Sequence, residues 1–142
     1  MSNYGGIRAA ITKGNVTVSN AFELMPFDNT LVVVELNYEK IKELFAYFMS
    51  KNMAHPLSSQ IELRIKNKSY EILINGKAID KNKTYYVATS NYLQKGGDAM
   101  NFFKDPLSLY DSNFLIRDAI VEYFKSKDTL ISNLDNRVII SN

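Results

Sequence analysis

The sequence predicts an α+β fold in which mixed β-sheets are flanked by helices. Apolar and polar residues alternate at 60–65 and again at 70–74, which is typical of half-buried strands. An earlier stretch has apolar residues at helical spacing, which predicts a helix with one core-facing side formed by Ile41, Leu44, Phe45, Phe48 and Met49. Because hairpins and helices are mixed along the chain, the α+β class is favoured.

The composition is that of one globular domain spanning residues 1–142. Hydrophobic residues make up 46% of the chain and charged residues 23%. The net charge of +2 is too small to indicate a nucleic-acid polymer or a membrane as a partner. The absence of cysteine excludes disulfides and thiol chemistry. No apolar run approaches the roughly 18 residues of a membrane span.

In the first half of the chain, a short helix precedes a strand and the long helix. Ser19 or Asn20 is expected to cap the short helix, which ends before Pro26. The β-branched run at 31–36 predicts a buried strand. Asn37 is then expected to cap the amphipathic helix that follows.

In the second half, turns separate the predicted strands. The Asn67–Lys68 pair is expected to join the two alternating segments, and the Asn75–Gly76 pair is the strongest turn signal in the chain. Another strand is predicted at 85–90. Ser112 is expected to cap a last helix, and a final strand is predicted at 138–140.

Two glycine-rich stretches are the most informative part of the sequence. Positions 3–8 read Asn-Tyr-Gly-Gly-Ile-Arg, and positions 91–98 read Asn-Tyr-Leu-Gln-Lys-Gly-Gly-Asp. Glycine pairs let a backbone approach a ligand closely because no Cβ intervenes. The planar guanidinium of Arg8 is suited to bind a phosphate through two hydrogen bonds. The Asp98 carboxylate is suited to accept hydrogen bonds from sugar hydroxyls. With the Pro-Phe-Asp-Asn stretch at 26–29, they predict a pocket for a phosphate, a sugar and a flat ring.

In their order and spacing, these stretches resemble the C-terminal domain of the 5′-nucleotidase family. That family includes UDP-sugar hydrolases, 5′-nucleotidases and 2′,3′-cyclic-nucleotide phosphodiesterases. The resemblance runs from Asn3 to about Phe103 and, more loosely, to 137–139. It includes 76–85, which is similar to the family's lead into the second glycine stretch. The resemblance implies the family's fold, with mixed sheets flanked by helices.

The resemblance implies that Phe27 and Tyr92 sandwich the base of a nucleotide. The alternative is that both are core residues, since the chain has 9 tyrosines and 8 phenylalanines. Tyr92 replaces the phenylalanine that is common in 5′-nucleotidases, and tyrosine also fits the cyclic-phosphodiesterase branch. The identity of the substrate therefore stays open.

The remaining binding residues are also implied by the resemblance. Arg8 is expected to contact phosphate, and the family's other phosphate-binding arginines would lie upstream. Asp98 is expected to bind ribose hydroxyls, with a helix cap as the alternative. Asn3 and Asn29 are expected near base and ribose, although both also suit turns. The glycines are expected to contribute their backbone: Gly5, Gly6, Gly96 and Gly97.

The chain is not expected to contain catalytic or metal-binding residues. The family hydrolyses phosphoesters with two divalent metal ions (zinc, manganese or similar) in an N-terminal metallophosphoesterase domain, whereas His55 is the only histidine here. No pattern of metal ligands accompanies His55, and we assign it no acid or base role. We therefore expect a substrate-binding domain that lacks its N-terminal partner domain and is inactive alone.

The resulting hypothesis is the nucleotide-recognition domain of a hydrolase that acts in nucleotide catabolism on 5′-nucleotides or 2′,3′-cyclic nucleotides. UDP-sugars are also compatible with the sequence. Two alternatives are a stand-alone nucleoside-binding module without catalysis and a scaffold retained for protein contacts. The resemblance implies that the parent protein is exported to the periplasm, the cell wall or the cell exterior. The metal and the oligomeric state are not determined by this sequence.

Overall fold

The computed structural model describes residues 1–51, 53, 55–66, 69–133, 135 and 137–141. Within these residues, helices are interspersed with the strands of two β-sheets, which confirms the α+β class. Short 3₁₀ turns lie at Tyr4–Gly6, Gly97–Ala99 and Asn101–Phe103. The other elements, in chain order, are α1 (Val18–Leu24), β1 (Thr30–Asn37), α2 (Tyr38–Lys51), β2 (Ile61–Lys66), β3 (Ser69–Ile74), β4 (Lys77–Ala78), β5 (Thr84–Ser90), α3 (Asn91–Gln94), β6 (Ser108–Leu115), α4 (Ile116–Lys125) and β7 (Val138–Ser141).

The first sheet is antiparallel, with the strand order β5–β1–β6. Its central strand β1 buries every second side chain, namely Val32, Val34 and Leu36. Leu31 pairs with Ser90, and Thr30 pairs with Leu115. The start of β1 and the ends of β5 and β6 therefore lie at the same end of this sheet.

The second sheet has the strand order β4–β3–β2–β7. Strands β2 and β3 pair in antiparallel fashion, and β7 pairs with β2 in parallel. The predicted turn at Asn67–Lys68 lies outside the described residues. The Asn75–Gly76 turn between β3 and β4 is confirmed, since φ is 51° at Asn75 and 71° at Gly76, as a tight hairpin turn requires.

Helix α2 supplies much of the hydrophobic core. Asn37 caps it as predicted, because its Oδ1 accepts a hydrogen bond from the Lys40 N–H at 3.0 Å. Of the predicted core-facing residues, Ile41, Leu44, Phe45 and Phe48 are buried. Met49 is only half-buried. The buried residues pack with residues of both sheets and with Phe103, so the core extends from one sheet to the other.

The predicted caps of the other two helices were wrong. Helix α1 begins earlier than expected, because Thr17 precedes its first residue and donates its N–H to Asn20 Oδ1 at 2.9 Å. Ser112 lies inside β6, where its hydroxyl donates to the Leu31 carbonyl at 2.6 Å. Helix α4 begins only at Ile116. Strand pairing with β1 therefore outweighs the capping preference of Ser112.

None of the helices in the described part of the chain is long and apolar enough to span a membrane.

Candidate functional site

The three stretches singled out in the sequence meet at one end of the first sheet. Phe27 lies just before β1, and Tyr92 lies just after β5, at the end where these strands pair. The Thr30 N–H at the start of β1 donates to Asn91 Oδ1 at 3.2 Å, which joins β1 to the second glycine-rich stretch. The fold therefore brings both aromatic residues to the same end of the sheet.

Asp98 connects the two glycine-rich stretches. Its Oδ2 accepts a hydrogen bond from Asn3 Nδ2 at 2.6 Å, across 95 positions of sequence. Its Oδ1 accepts from the Tyr92 hydroxyl at 2.8 Å. The Tyr47 hydroxyl of α2 donates to the Asp98 carbonyl at 2.8 Å, so the loop is also tied to the long helix.

The helix-cap alternative for Asp98 was wrong. Asp98 lies within the Gly97–Ala99 turn with φ 54° and ψ 26°, and its carboxylate contacts side chains of both stretches. An ionised carboxylate offers about four acceptor positions. The two described contacts, with Asn3 and Tyr92, use two of them, so Asp98 keeps the capacity to accept from sugar hydroxyls.

Close packing explains the glycines at the centre of the site. A Cβ at Gly97 would lie 2.5 Å from Tyr92 Cζ, and a Cβ at Gly6 would lie 2.8 Å from Asn3 Oδ1. Gly96 adopts φ 88°, a left-handed conformation that favours glycine. The second stretch therefore needs glycine both for its backbone conformation and for the space that Tyr92 occupies.

Phe27 and Tyr92 are both exposed, with 38% and 44% of their surface accessible. The alternative that they belong to the core was wrong. The Tyr92 hydroxyl donates a hydrogen bond to the Asp98 carboxylate. This bond raises the pKa of Tyr92 because it favours the protonated phenol. Two exposed aromatic rings therefore lie at this end of the sheet, and the Tyr92 ring is held by its hydrogen bond to Asp98.

Arg8 and Asn29 lie on the flanks of this arrangement. The Arg8 guanidinium donates to the Gly5 carbonyl at 3.3 Å and remains exposed. Its backbone N–H donates to the Leu24 carbonyl at 2.9 Å, which anchors the first stretch to the end of α1. The Asn29 carbonyl accepts from the Ile116 N–H at 2.9 Å, so Asn29 is held against the start of α4.

Arg117 is a residue of the site that sequence reasoning missed. Its guanidinium is almost completely buried and donates to Asp28 Oδ1 at 2.9 Å and to the Phe27 carbonyl at 3.4 Å. It also lies 4.1 Å from the centroid of the Phe22 ring, in a cation–π contact. The available signal was a charged residue in the first turn of an amphipathic helix, which did not by itself identify these partners.

Among the described residues, no group of three or more histidine, cysteine, aspartate or glutamate side chains is arranged to hold a metal ion.

Comparison with known proteins supports the resemblance seen in the sequence. The family model for the 5′-nucleotidase C-terminal domain matches residues 1–105. The trifunctional nucleotide phosphoesterase protein YfkN of Bacillus subtilis is 31% identical over 147 aligned residues, which cover 93% of this chain and 10% of that protein. Protein UshA of Yersinia enterocolitica is 27% identical, with 89% of this chain and 24% of that protein covered.

A solved structure shows the same fold. The 5′-nucleotidase precursor from Thermus thermophilus superposes with a TM-score of 0.88 at 27% identity, covering 99% of this chain and 31% of that one. The chain thus spans less than a third of the length of these relatives. The family match over most of the chain and the shared fold lead to one conclusion: the chain belongs to the 5′-nucleotidase family, as its C-terminal domain.

Proposed function

We propose that this chain binds the nucleoside part of a nucleotide and presents it for phosphoester hydrolysis in a larger enzyme. The observation that carries the proposal is the double contact of Asp98 with Asn3 and Tyr92. This contact unites an amide, a carboxylate and an aromatic ring from two distant stretches at one exposed position. A ribose with an attached base matches that combination of groups.

The base is proposed to stack between Phe27 and Tyr92. Both side chains are exposed and leave the same end of the first sheet, which supports this role. Stacking on an aromatic side chain contributes about 1–3 kcal/mol per base and tolerates different bases. Selectivity for one base would therefore depend on hydrogen bonds, for which the Asn3 and Asn29 amides are the candidates.

The sugar and the phosphate are proposed to bind on either side of the first glycine-rich stretch. Asp98 would accept from the ribose hydroxyls with its remaining acceptor positions. Arg8 would contact the phosphate, which its exposed guanidinium and its position beside Gly5 support. The backbone at Gly5, Gly6, Gly96 and Gly97 would allow the ligand to approach closely.

The chemical step is proposed to belong to a metallophosphoesterase domain of the parent protein. Two divalent ions there would activate water and stabilise the leaving oxygen. This chain would hold 5′-nucleotides or 2′,3′-cyclic nucleotides in the productive orientation, so its binding energy serves for positioning. The description of the Bacillus subtilis relative as a nucleotide phosphoesterase supports this reaction class. We also propose that the parent protein is exported.

The proposal is tested by titrating adenosine and AMP into the ¹⁵N-labelled chain while recording amide spectra. We expect weak binding, with signal changes concentrated at 3–8, 27–29 and 91–98. Phe27→Ala is expected to weaken binding by about tenfold or more, through loss of stacking. Tyr110→Ala, which removes another exposed ring on β6, is the control and should bind like wild type.

Three outcomes would contradict the proposal or change it. If no nucleoside or nucleotide changes the signals of the three stretches, the nucleoside site is wrong. Phosphate release by the purified chain with zinc or manganese would overturn the assignment of chemistry to another domain. Submicromolar affinity for adenosine would instead indicate an independent nucleoside-binding module.

A further inference from the structure

The first glycine-rich stretch is anchored by a residue to which the proposed function gives no role. The Tyr4–Gly6 turn begins with the Tyr4 N–H, which has no acceptor within the turn, as is general for the first N–H groups of a helix. His55 Nδ1 accepts this N–H at 3.0 Å, across 51 positions of sequence. The imidazole therefore caps the turn that carries Gly5 and Gly6.

The His55 ring is buried beneath the turn, with 6% of its surface exposed. It lies between Tyr47 and Phe48, with ring centroids 5.7 Å and 5.2 Å away. Its Nε2 is buried and has no hydrogen-bond partner among the described residues. Because Nδ1 accepts a hydrogen bond, the proton of the neutral ring is on Nε2.

The same cluster also supports the second glycine-rich stretch. Tyr47, which packs on the His55 ring, donates its hydroxyl to the Asp98 carbonyl at 2.8 Å. His55 therefore holds one half of the site directly and contacts the residue that holds the other half. An aliphatic side chain at position 55 would keep the packing but would leave the Tyr4 N–H without this acceptor.

We infer that His55 is a positioning residue, whose neutral imidazole holds the Tyr4–Gly6 turn in the conformation that binds the ligand. The inference rests on the proposed function, because the ligand is the nucleoside assigned above. His55 would not touch the ligand. It would act through the turn, which places Asn3 beside Asp98 and the glycine backbone beside the ligand.

The inference predicts a loss of affinity on acidification. Burial lowers the pKa of His55 below its ordinary value of 6.5, and the negative charge of Asp98 partly opposes this shift. The ring is therefore neutral above pH 6.5 and takes up a proton only as the pH falls through the lowered pKa. A protonated Nδ1 donates and can no longer accept from the Tyr4 N–H.

Other groups near the ring need a control. The Tyr47 phenol stays protonated in this range, since burial raises its pKa. The Met1 amino group donates to the Ala88 carbonyl, and burial lowers its pKa from 8.0. Since the Ser2 N–H donates to the Pro56 carbonyl next to His55, titration of the Met1 amino group can also affect this region. A variant that keeps the acceptor at position 55 but does not titrate separates the two groups.

The experiment compares adenosine affinity from pH 8 to pH 5 for wild type, His55→Asn and His55→Leu, by amide titration. The asparagine Oδ1 is as many bonds from Cα as the histidine Nδ1, so it can accept from Tyr4 without titrating. We expect wild-type affinity to be constant above pH 6.5 and to fall about tenfold once the pH has dropped through the lowered pKa of His55. His55→Asn should show no such fall, and His55→Leu should bind weakly throughout.

Two results would overturn the inference. One is a His55→Asn profile that falls with pH as the wild type does, which would indicate another group such as Met1. The other is His55→Leu binding like wild type at neutral pH. If His55→Leu does not fold, the comparison of wild type with His55→Asn still decides.

Failure of adenosine to bind would contradict the proposed function without deciding the role of His55. In that case the amide signals of Tyr4, Gly5 and Gly6 are followed against pH without ligand. They should move with the titration of His55 in wild type and stay constant in His55→Asn. Constant signals in wild type would overturn the positioning role.

Discussion

The two sides of the candidate site are supported in different ways. On the glycine side, the residues proposed to face the ligand hold each other, because Asp98 binds both Asn3 and Tyr92. On the aromatic side, Phe27 is held by Arg117, whose buried guanidinium donates a hydrogen bond to the Phe27 carbonyl. On the glycine side, the residues proposed to bind the ligand also hold each other in place. On the aromatic side, Phe27 is proposed to bind and a different residue, Arg117, holds it in place.

This difference has a consequence for how each side tolerates change. On the glycine side, a substitution removes a proposed ligand contact and also breaks a hydrogen bond that holds the neighbouring residue. On the aromatic side, the ring can be removed without disturbing its support, and the support can be removed without touching the ring. We therefore expect the largest effects on binding to come from the glycine side.

Asp98→Asn is expected to have the largest effect. Asparagine tolerates the left-handed backbone of this position, so the loss reflects chemistry and not backbone strain. The amide lacks the charge that is proposed to accept from ribose, and it cannot accept from both Asn3 and Tyr92 through two oxygens. Since hydrogen bonds to charged groups contribute about 1.5–3 kcal/mol, adenosine affinity should fall about 10- to 100-fold.

The matched control is Asp128→Asn, an exposed carboxylate in the segment after α4. It should leave adenosine affinity unchanged, as measured by the same amide titration. Equal affinity of Asp98→Asn and wild type would show that the carboxylate does not bind the ligand, and the contrast between the two sides would disappear.

Gly97→Ala is expected to come next, because its Cβ would overlap the Tyr92 ring. Overpacking of this kind costs about 1–3 kcal/mol, and here it displaces Tyr92, which is proposed to face the ligand. Affinity should fall by about tenfold. Gly76→Ala, in the turn between β3 and β4 and outside the three stretches, provides the control, since no atom lies within 4 Å of its added Cβ. If both variants bind alike, the packing of Tyr92 on Gly97 is not important for the site.

Local patterns predicted the parts of this fold that local interactions decide. The stripe of α2 and the Asn75–Gly76 turn depend on neighbours within a few residues, so they were readable. Ser112 was assigned wrongly because its local capping preference competes with a partner on β1, far away in sequence. Strand β6 was missed for the same reason.

The site shows the same division. The resemblance predicted the residues of the candidate site, but the contact of Asp98 with Asn3 depends on the folded path of 95 residues. Neither the acceptor role of His55 nor the burial of Arg117 has a sequence pattern of its own. Supporting residues are recognised by what they touch, and only coordinates supply that information.

Arg117→Met tests the aromatic side through its support. The substitution removes a buried guanidinium and leaves the Phe27 carbonyl without its donor, so the free energy of unfolding should fall by about 1–3 kcal/mol. Denaturant unfolding measures this loss. Adenosine affinity should fall only a few-fold, with amide changes at 27–29 and little change at Asn3.

Arg64→Met is the control for the loss of an arginine. Arg64 is exposed on β2 and pairs with Glu62 and Glu71 at 2.7 Å and 3.5 Å. Exposed ion pairs of this type contribute about 0–1 kcal/mol, so stability should change little. If the two variants lose equal stability, the burial of Arg117 does not give it a special role.

Tyr92→Phe should cost less free energy of binding than Asp98→Asn or Gly97→Ala, and it separates the ring from its hydroxyl. The ring that is proposed to stack on the base remains, while the hydrogen bond to Asp98 is lost. A net contribution of about 0.5–1.5 kcal/mol for such a bond predicts a two- to tenfold loss of adenosine affinity. Tyr110→Phe, another exposed tyrosine, should bind like wild type. If Tyr92→Phe binds as poorly as Asp98→Asn, the hydroxyl contributes as much as the carboxylate, and the site depends on their pairing more than on either group alone.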